Sequence, residues 1–358
     1  MTSVDWAERA LADVLHRVAV TRAEVGARFP LFADPDTGLW ETTGRGSWTG
    51  GFWAGLQWLR ARHTGDEADR AVASACTARL ADWVEADTAT RGLILWYGTA
   101  LAVSDPSADE LRNRAAHACL AALDPELGLI PWGSVFGGPR LLARVDGLPG
   151  TVPLLASAGV EGATAATSHL HRHIDLCHVD GSVVPALRFD PATGWQPCDD
   201  PPPGWSRGRP WLLLAVADAL HQPTTMQWNH QRLAATGAEL VTPPTGLPRW
   251  GVPPADEGQP DGPKDTSAAA ITAVALLKLA RVPGPRADEY ASRALAILDH
   301  LVTAHLTGPT GARPAGMLLN GCYDAGRSVA ARHELIWGDF FLALGLAALT
   351  GLIDIRTV

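Results

Sequence analysis

The residues Trp205-Ser206-Arg207-Gly208-Arg209-Pro210-Trp211 set two indoles and two guanidinium groups side by side, just after a loop rich in Pro and Asp. Indole faces stack on flat, weakly polar surfaces such as sugar rings. A guanidinium fork pairs bidentately with a carboxylate. Together they suit a pocket for an acidic carbohydrate or a similarly rigid, oxygenated ligand, with Arg207 holding the strongest claim on its carboxylate. The plainer reading of the same residues is a helix start whose tryptophans are core and whose arginines are surface.

Other constellations are weaker. His169, His171, His173 and His178 cluster near the end of one predicted helix, and His169 and His173 share a helical face. That spacing could hold a metal ion, but Asp175 is the one acid close by, so a solvated, polar helix end is expected. The acid pairs Asp199-Asp200 and Asp256-Glu257 lie in Pro-rich loops, either simply solvated or binding a cation at a site's rim. Lys264-Asp265 ahead of Thr266-Ser267 reads as a helix N-cap. There is no G-x-S-x-G elbow for serine catalysis and no Gly-rich phosphate loop. Neither a metal nor an organic cofactor is expected.

Composition narrows the field. The chain has 358 residues, of which 47% are hydrophobic and 19% charged, enough for a large core. A net charge of −9 argues against nucleic acid or an anionic membrane as partner; the expected partner is the small-molecule substrate of the pocket above. No apolar run reaches the ~18 residues of a membrane span, and the first residues lack a signal-peptide profile. The five cysteines are scattered without a CxxC pair, which fits reduced thiols in the cytoplasm.

The periodic segments are nearly all helical. They run Ala7–Val25, Phe52–His63, Asp69–Glu85, Leu93–Val103, Ala108–Leu123, Leu148–Ala158, Glu161–Cys177, Trp205–Leu220, Thr224–Leu240, Thr266–Leu279, Pro285–His305 and Glu334–Leu349. Long loops rich in Gly, Pro and Trp fall at Leu31–Thr49, Leu127–Val145, Asp180–Gly204, Val241–Lys264 and Thr307–His333. Loops of that kind on a rigid scaffold are where sites are built. Residues 180–189 form the best strand candidate, a small β element bordering the mouth. No linker divides the chain, so the expectation is an all-α single domain over residues 1–358: a toroid of six helical hairpins, an (α/α)6 barrel, with short β elements in its loops.

Five ordered motifs then resemble one family, the unsaturated glucuronyl hydrolases of glycoside hydrolase family 88. Trp48-Thr49-Gly50-Gly51-Phe52-Trp53-Ala54-Gly55 resembles W-T-x-G-F-W-x-G, and Phe189-Asp190-Pro191-Ala192-Thr193-Gly194 resembles F-D-P-E-T-G. Trp205 to Trp211 is similar to W-A-R-G-Q-A-W. Lys264 to Ile271 is similar to R-D-S-S-A-A-A-I, and Ile336 to Phe341 to I-W-G-D-Y-Y. The resemblance implies a barrel that acts on sugars with a C4=C5 double bond beside a carboxylate. An acid protonates the alkene carbon, water adds, and the sugar opens.

Matched residue by residue, the resemblance puts the main acid/base aspartate at Asp146 and an aromatic substrate surface at Trp48, Trp53, Trp96, Trp205, Trp211, Tyr323 and Trp337, with Arg207. An N-cap role is the alternative for Asp146. Other expected groups are missing. Leu95-Trp96-Tyr97-Gly98-Thr99 stands for H-D-x-G-F, so Trp96 replaces the second aspartate; Pro185 and Pro197 replace a histidine and a glutamine. Leu319-Asn320-Gly321-Cys322-Tyr323-Asp324 stands for L-H-G-x-Y-H. The losses fall on proton-handling groups. A drier, more aromatic wall would raise the pKa of a buried Asp146 and keep it an acid. The reading is therefore a repurposed barrel that protonates an electron-rich double bond in a specialised metabolite, giving cyclisation or isomerisation. The alternatives are hydrolysis of unsaturated uronyl sugars and a catalytically inactive ligand-binding barrel.

Overall fold

The computed structural model of the chain describes residues 5–223, 228–242 and 251–358. Within them, outer and inner helices alternate. Outer α1 (Asp5–Val25) leads to inner α2 (Gly50–Thr64), and outer α3 (Glu67–Ala78) to inner α4, a π-helical Gly92–Trp96 running into Tyr97–Thr99. Outer α5 (Pro106–Ala121) precedes inner α6 (Thr151–Ala156), and outer α7 (Gly159–Cys177) precedes inner α8 (Gly208–Leu220). Outer α9 (His230–Val241) and α11 (Ala287–His305) flank inner α10 (Thr266–Leu279), and inner α12 (Ile336–Leu349) closes the chain. The inner helices touch in the closed order α2, α4, α6, α8, α10, α12 and back to α2. This is the (α/α)6 barrel.

Burial follows from the sequence of each layer. Every residue of α10 except Thr272 is buried, and α8 and α12 are nearly as enclosed, as expected of helices apolar on all faces. The outer helices are two-faced: α7 buries Ala165, Ala166, His169, Leu170, His173, Ile174 and Cys177, a stripe at helical spacing. The charges inside the ring are paired. Lys278 of α10 donates to Asp218 of α8 at 2.5 Å and to the Val358 carbonyl. Arg17 of α1 clamps Glu334 at 2.8 Å. Burial beside Glu334 raises Asp339 of α12 well above the carboxylate range, and Asp339 hydrogen-bonds Glu334.

The glycines of the first motif act through packing. A Cβ on Gly51 would lie 2.2 Å from the Leu93 carbonyl oxygen and 2.3 Å from that of Ile94, so α2 and α4 approach closely only because Gly51 has no side chain. Gly92 is similarly pressed on α6, its notional Cβ 2.0 Å from the Thr151 nitrogen.

Short strands dress one end of the barrel. β1 (Phe29–Ala33) pairs with β2 (Trp40–Thr43), and β3 (Leu142–Arg144) begins a second sheet. β4 (His178–Val179) pairs with β5 (Ser182–Val183), whereas β6 (Ala186–Asp190) sits between β3 and β7 (Gly194–Pro197). β8 (Glu334–Leu335) joins β1 and runs straight into α12. The strand expected over 180–189 is thus two strands, β5 and β6, interrupted at Pro185, whose missing N–H cannot join a ladder.

Several helix bounds differ from the sequence expectation. α3 ends at Ala78 and gives way to a 3-10 turn at Ala81–Trp83, and α6 starts only at Thr151, after Gly150 in the left-handed region. The expected helix Thr224–Leu240 begins in residues 224–227, outside the described residues; its described part is α9. Residues 243–250 of the Val241–Lys264 loop also lie outside them. No helix among the described residues is long and apolar enough to cross a membrane.

The Gly51 contact predicts a specific cost. Gly51→Ala should lower unfolding free energy by about 1–3 kcal/mol, the usual range for overpacking, in urea titrations. Gly284→Ala, where a Cβ meets nothing within 4 Å, should leave the midpoint in place.

Candidate functional site

Because each inner helix is followed by an outer one that returns the chain, the inner helices run parallel and their N-termini gather at one end. Leading into those N-termini are Trp48 for α2, Asp146 and Gly150 for α6, Arg207 for α8, Asp265 for α10 and Leu335 for α12. This end, the mouth, also carries the β3–β6–β7 sheet. The Val145 amide donates to the Pro185 carbonyl at 3.1 Å, and Pro185 lies beside Gly208 and hence the Trp205–Trp211 segment.

Asp146 sits in the 3-10 turn Val145–Gly147 that links β3 to α6. It is not ringed by apolar side chains, as the sequence suggested. Arg144 grips it from two residues back: Nε donates to Oδ1 at 3.0 Å and Nη2 to Oδ2 at 2.7 Å. The guanidinium also lies 3.9 Å from the centre of the Trp132 ring. Residues two apart at a strand end share a side, which explains the pairing. Both side chains keep some access to solvent, 16% for Arg144 and 13% for Asp146.

Arg207 is buried; both of its terminal nitrogens are engaged within the protein, while its Nε has no hydrogen-bond partner among the described residues. Nη1 donates to Asp265 Oδ2 and to the Cys322 carbonyl, each at 2.5 Å, and Nη2 to the Tyr323 carbonyl at 2.7 Å. Asp265, fully buried, also takes Ser206 Oγ at 2.7 Å and both the amide and hydroxyl of Ser267. The N-cap expected at Asp265 is present, and it doubles as the partner of Arg207. The expected carboxylate clamp is therefore a structural knot joining α8, α10 and the 320–324 loop.

Above the knot lies an aromatic wall. Trp48 and Trp337 have ring centres 4.8 Å apart, and Trp48 Nε1 donates to the Tyr323 hydroxyl at 3.2 Å. Arg207 lies 4.9 Å from the Trp205 ring and 5.6 Å from the Trp337 ring. Trp48, Trp205 and Tyr323 are half-buried, while Trp337 forms the buried backing of the wall.

The remaining three expected contacts fall elsewhere. Trp211 is buried edge-on against Phe341 in the barrel core. Trp53 lies between α1, α2 and α12 beside Arg17, Glu334 and Asp339. Trp96 lines a cavity of ≈ 260 Å³ with Ala156, Asp218 and Lys278, at the C-terminal ends of the inner helices. It cannot occupy a position at the mouth. The pattern H-D-x-G-F fits Gly92 as well as Gly98, and read from Gly92 it becomes Ala89-Thr90-Arg91-Gly92-Leu93 at the mouth end. Thr90, buried and 2.9 Å from the Thr88 hydroxyl, then stands where an aspartate was expected. Asn320 and Asp324 build their loop: Asn320 adopts φ 63° and contacts His305, and Asp324 pairs with Arg327, which also holds Asp200.

His169 and His173 were expected in solvent and are instead fully buried, because the stripe they belong to faces the core. His169 Nδ1 accepts from the Ile130 amide at 3.1 Å, and His173 Nδ1 lies 2.8 Å from the His169 carbonyl. Among the described residues no group of three or more His, Cys, Asp or Glu converges as a metal site would require.

No family model matches the chain. It is 26% identical over 363 residues to the unsaturated glucuronyl hydrolase of Bacillus sp. (strain GL1), covering 93% of this chain and 94% of that protein. A solved structure described as UGL with an Asp-to-Asn substitution and dGlcA-Glc-Rha-Glc has a TM-score of 0.81 at 23% identity, over 96% of both chains. The unsaturated glucuronyl hydrolase of Streptococcus agalactiae has a TM-score of 0.84 at 17% identity, over 99% of this chain and 94% of that one. The resemblance to the unsaturated glucuronyl hydrolases of the glycoside hydrolase family 88 type thus holds along nearly the whole chain, and the fold is theirs.

Burial disfavours the imidazolium of both buried histidines, pushing His173 down to about 4 and His169 well below its usual value. Unfolded histidines titrate near 6.5, so between these limits the unfolded chain binds more protons and stability falls as pH drops from about 6.5 towards 4. Subtracting the curve of a His173→Phe variant should isolate a difference that grows to about 3 kcal/mol across that window. A flat difference in urea titrations at stepped pH would refute the buried, neutral assignment.

Proposed function

We propose that this glucuronyl hydrolase-like barrel is an enzyme in which Asp146 alone handles the proton, acting on an electron-rich double bond without adding water. Protonated Asp146 gives its proton to one alkene carbon. A C–H bond forms from the π electrons, the O–H bond breaks, and positive charge develops on the neighbouring carbon. The Asp146 carboxylate then takes a proton from the adjoining carbon, giving an isomer, or a hydroxyl of the ligand itself bonds to the cationic carbon and closes a ring while its proton passes to the Asp146 carboxylate. Trp48 and Tyr323, half-buried rings of the wall, would offer this charge aromatic surfaces, which favour cations.

The observation that carries the reading is what stands at the positions where the resemblance expects further proton-handling groups. The positions from which the resemblance would draw further proton-handling groups hold Thr90 or Trp96, Pro185, Pro197 and Asn320, while Asp324 is tied to Arg327. Those groups would help to hold and activate water for hydration, and their replacement favours a route that needs only one carboxylate to deliver a proton and take one back. The second reading, hydrolysis of an unsaturated uronyl sugar, is favoured by the nearly full-length similarity to the Bacillus protein. We also read residues 1–358 as one domain, supported by an apolar core that runs from Ala7 to Val358. A small-molecule substrate and a cytoplasmic setting complete the proposal.

A Δ4,5-unsaturated uronyl disaccharide in D2O separates the two readings. Ours expects deuterium at the alkene carbon by mass spectrometry and NMR with the glycosidic bond intact. Asp146→Asn should slow that exchange by about 100-fold or more. Cleavage with loss of the alkene band would favour hydrolysis, and exchange undiminished in the variant would remove Asp146 from the chemistry.

A further inference from the structure

We infer that Arg144 is the carboxylate-binding residue of the mouth and that it works as a latch: an anionic ligand takes Arg144 from Asp146 and thereby frees Asp146. The inference deepens the proposed function and rests on Asp146 being its acid. Arg207, the arginine that the motif offered for this task, is committed to Asp265 and to the carbonyls of Cys322 and Tyr323. Arg144, by contrast, spends its Nε and Nη2 donors on the one side chain the chemistry needs.

Three features make the pair exchangeable. Arg144 is held from a second direction by the Trp132 ring, 3.9 Å away, so its guanidinium stays in place when Asp146 leaves. The pair is two residues apart on a strand end and a 3-10 turn, so a rotation of the Asp146 side chain parts it without moving either backbone. Both groups retain solvent access, unlike the sealed Arg207–Asp265 pair. A ligand carboxylate presents the same two oxygens to the same fork. The exchange conserves charge on Arg144: the ligand carboxylate replaces the Asp146 carboxylate in the same fork. The anion that docks is thus the anion that frees Asp146 to turn toward the ligand. A neutral ligand of the same shape would leave the latch closed, which makes a carboxylate next to the reacting bond a requirement of recognition.

Binding measurements by titration calorimetry test the latch without relying on turnover. The probes are the Δ4,5-unsaturated uronyl disaccharide and its methyl ester. Asp146→Asn removes the internal competitor, so it should bind the acid at least tenfold more tightly than the unmodified protein does, with ester binding unchanged. Arg144→Met should weaken the acid at least tenfold and make acid and ester alike; its ester affinity reports that the variant is folded. Unchanged or weaker acid binding by Asp146→Asn overturns the latch, as does failure of the acid to bind either protein. A latch that passes while the D2O exchange fails would locate the fault in the proposed chemistry, and the reverse would locate it here.

Discussion

The mouth of this barrel is organised by one buried ion pair, Arg207 with Asp265. Arg207 precedes α8, Asp265 caps α10, and the carbonyls of Cys322 and Tyr323 complete the set. Two inner helices and the loop before α12 are thereby fixed at one point. The position of Tyr323 follows, and with it the Trp48–Tyr323 hydrogen bond and the Trp48–Trp337 contact. Removing one member of such a pair leaves a buried charge without its counter-charge and typically costs 3–5 kcal/mol. A residue under that constraint is not free to follow a ligand, so the arginine that looks most like a substrate clamp serves as a structural pin.

Chemistry at the mouth must then be sought where charges are less deeply committed. Arg144 and Asp146 meet that condition, being paired yet partly accessible. Arg144 occupies both oxygens of Asp146, whereas proton transfer needs one of them turned toward the ligand. The two demands are reconciled only if ligand binding alters the pairing, which links recognition of an anion to the position of the acid. The wider barrel contributes shape and dryness: inner helices apolar on every face, with the remaining charges neutralised in pairs such as Lys278–Asp218.

Much of the fold was legible because the inner helices are apolar all round and the outer ones striped, patterns that hydrophobicity alone reveals. The site was legible in part. Trp48, Trp205, Tyr323 and Trp337 do form a wall beside Arg207, and Asp146 does lie in a turn at the mouth. Trp96 was misplaced because Gly92 and Gly98 both suit the same short pattern, and only the packing of Gly92 on Thr151 separates them. His169 and His173 were misjudged because polar residues near a helix end suggest solvent; their spacing with Ala166, Leu170 and Ile174 was the overlooked signal. The Arg207–Asp265 pair joins residues 58 positions apart, which no local pattern reports. The Arg144–Asp146 pair was close enough to be read, had the strand end at Arg144 been recognised.

The central claim is that an anionic ligand and Asp146 compete for Arg144. A crystal structure of the Asp146→Asn variant with the Δ4,5-unsaturated uronyl disaccharide bound tests it most directly. The account predicts the ligand carboxylate on Arg144, residue 146 turned to within about 3 Å of the alkene carbon, and Arg207 still bound to Asp265. A ligand carboxylate held by Arg207, or a residue 146 still seated on Arg144 beside bound ligand, would contradict it.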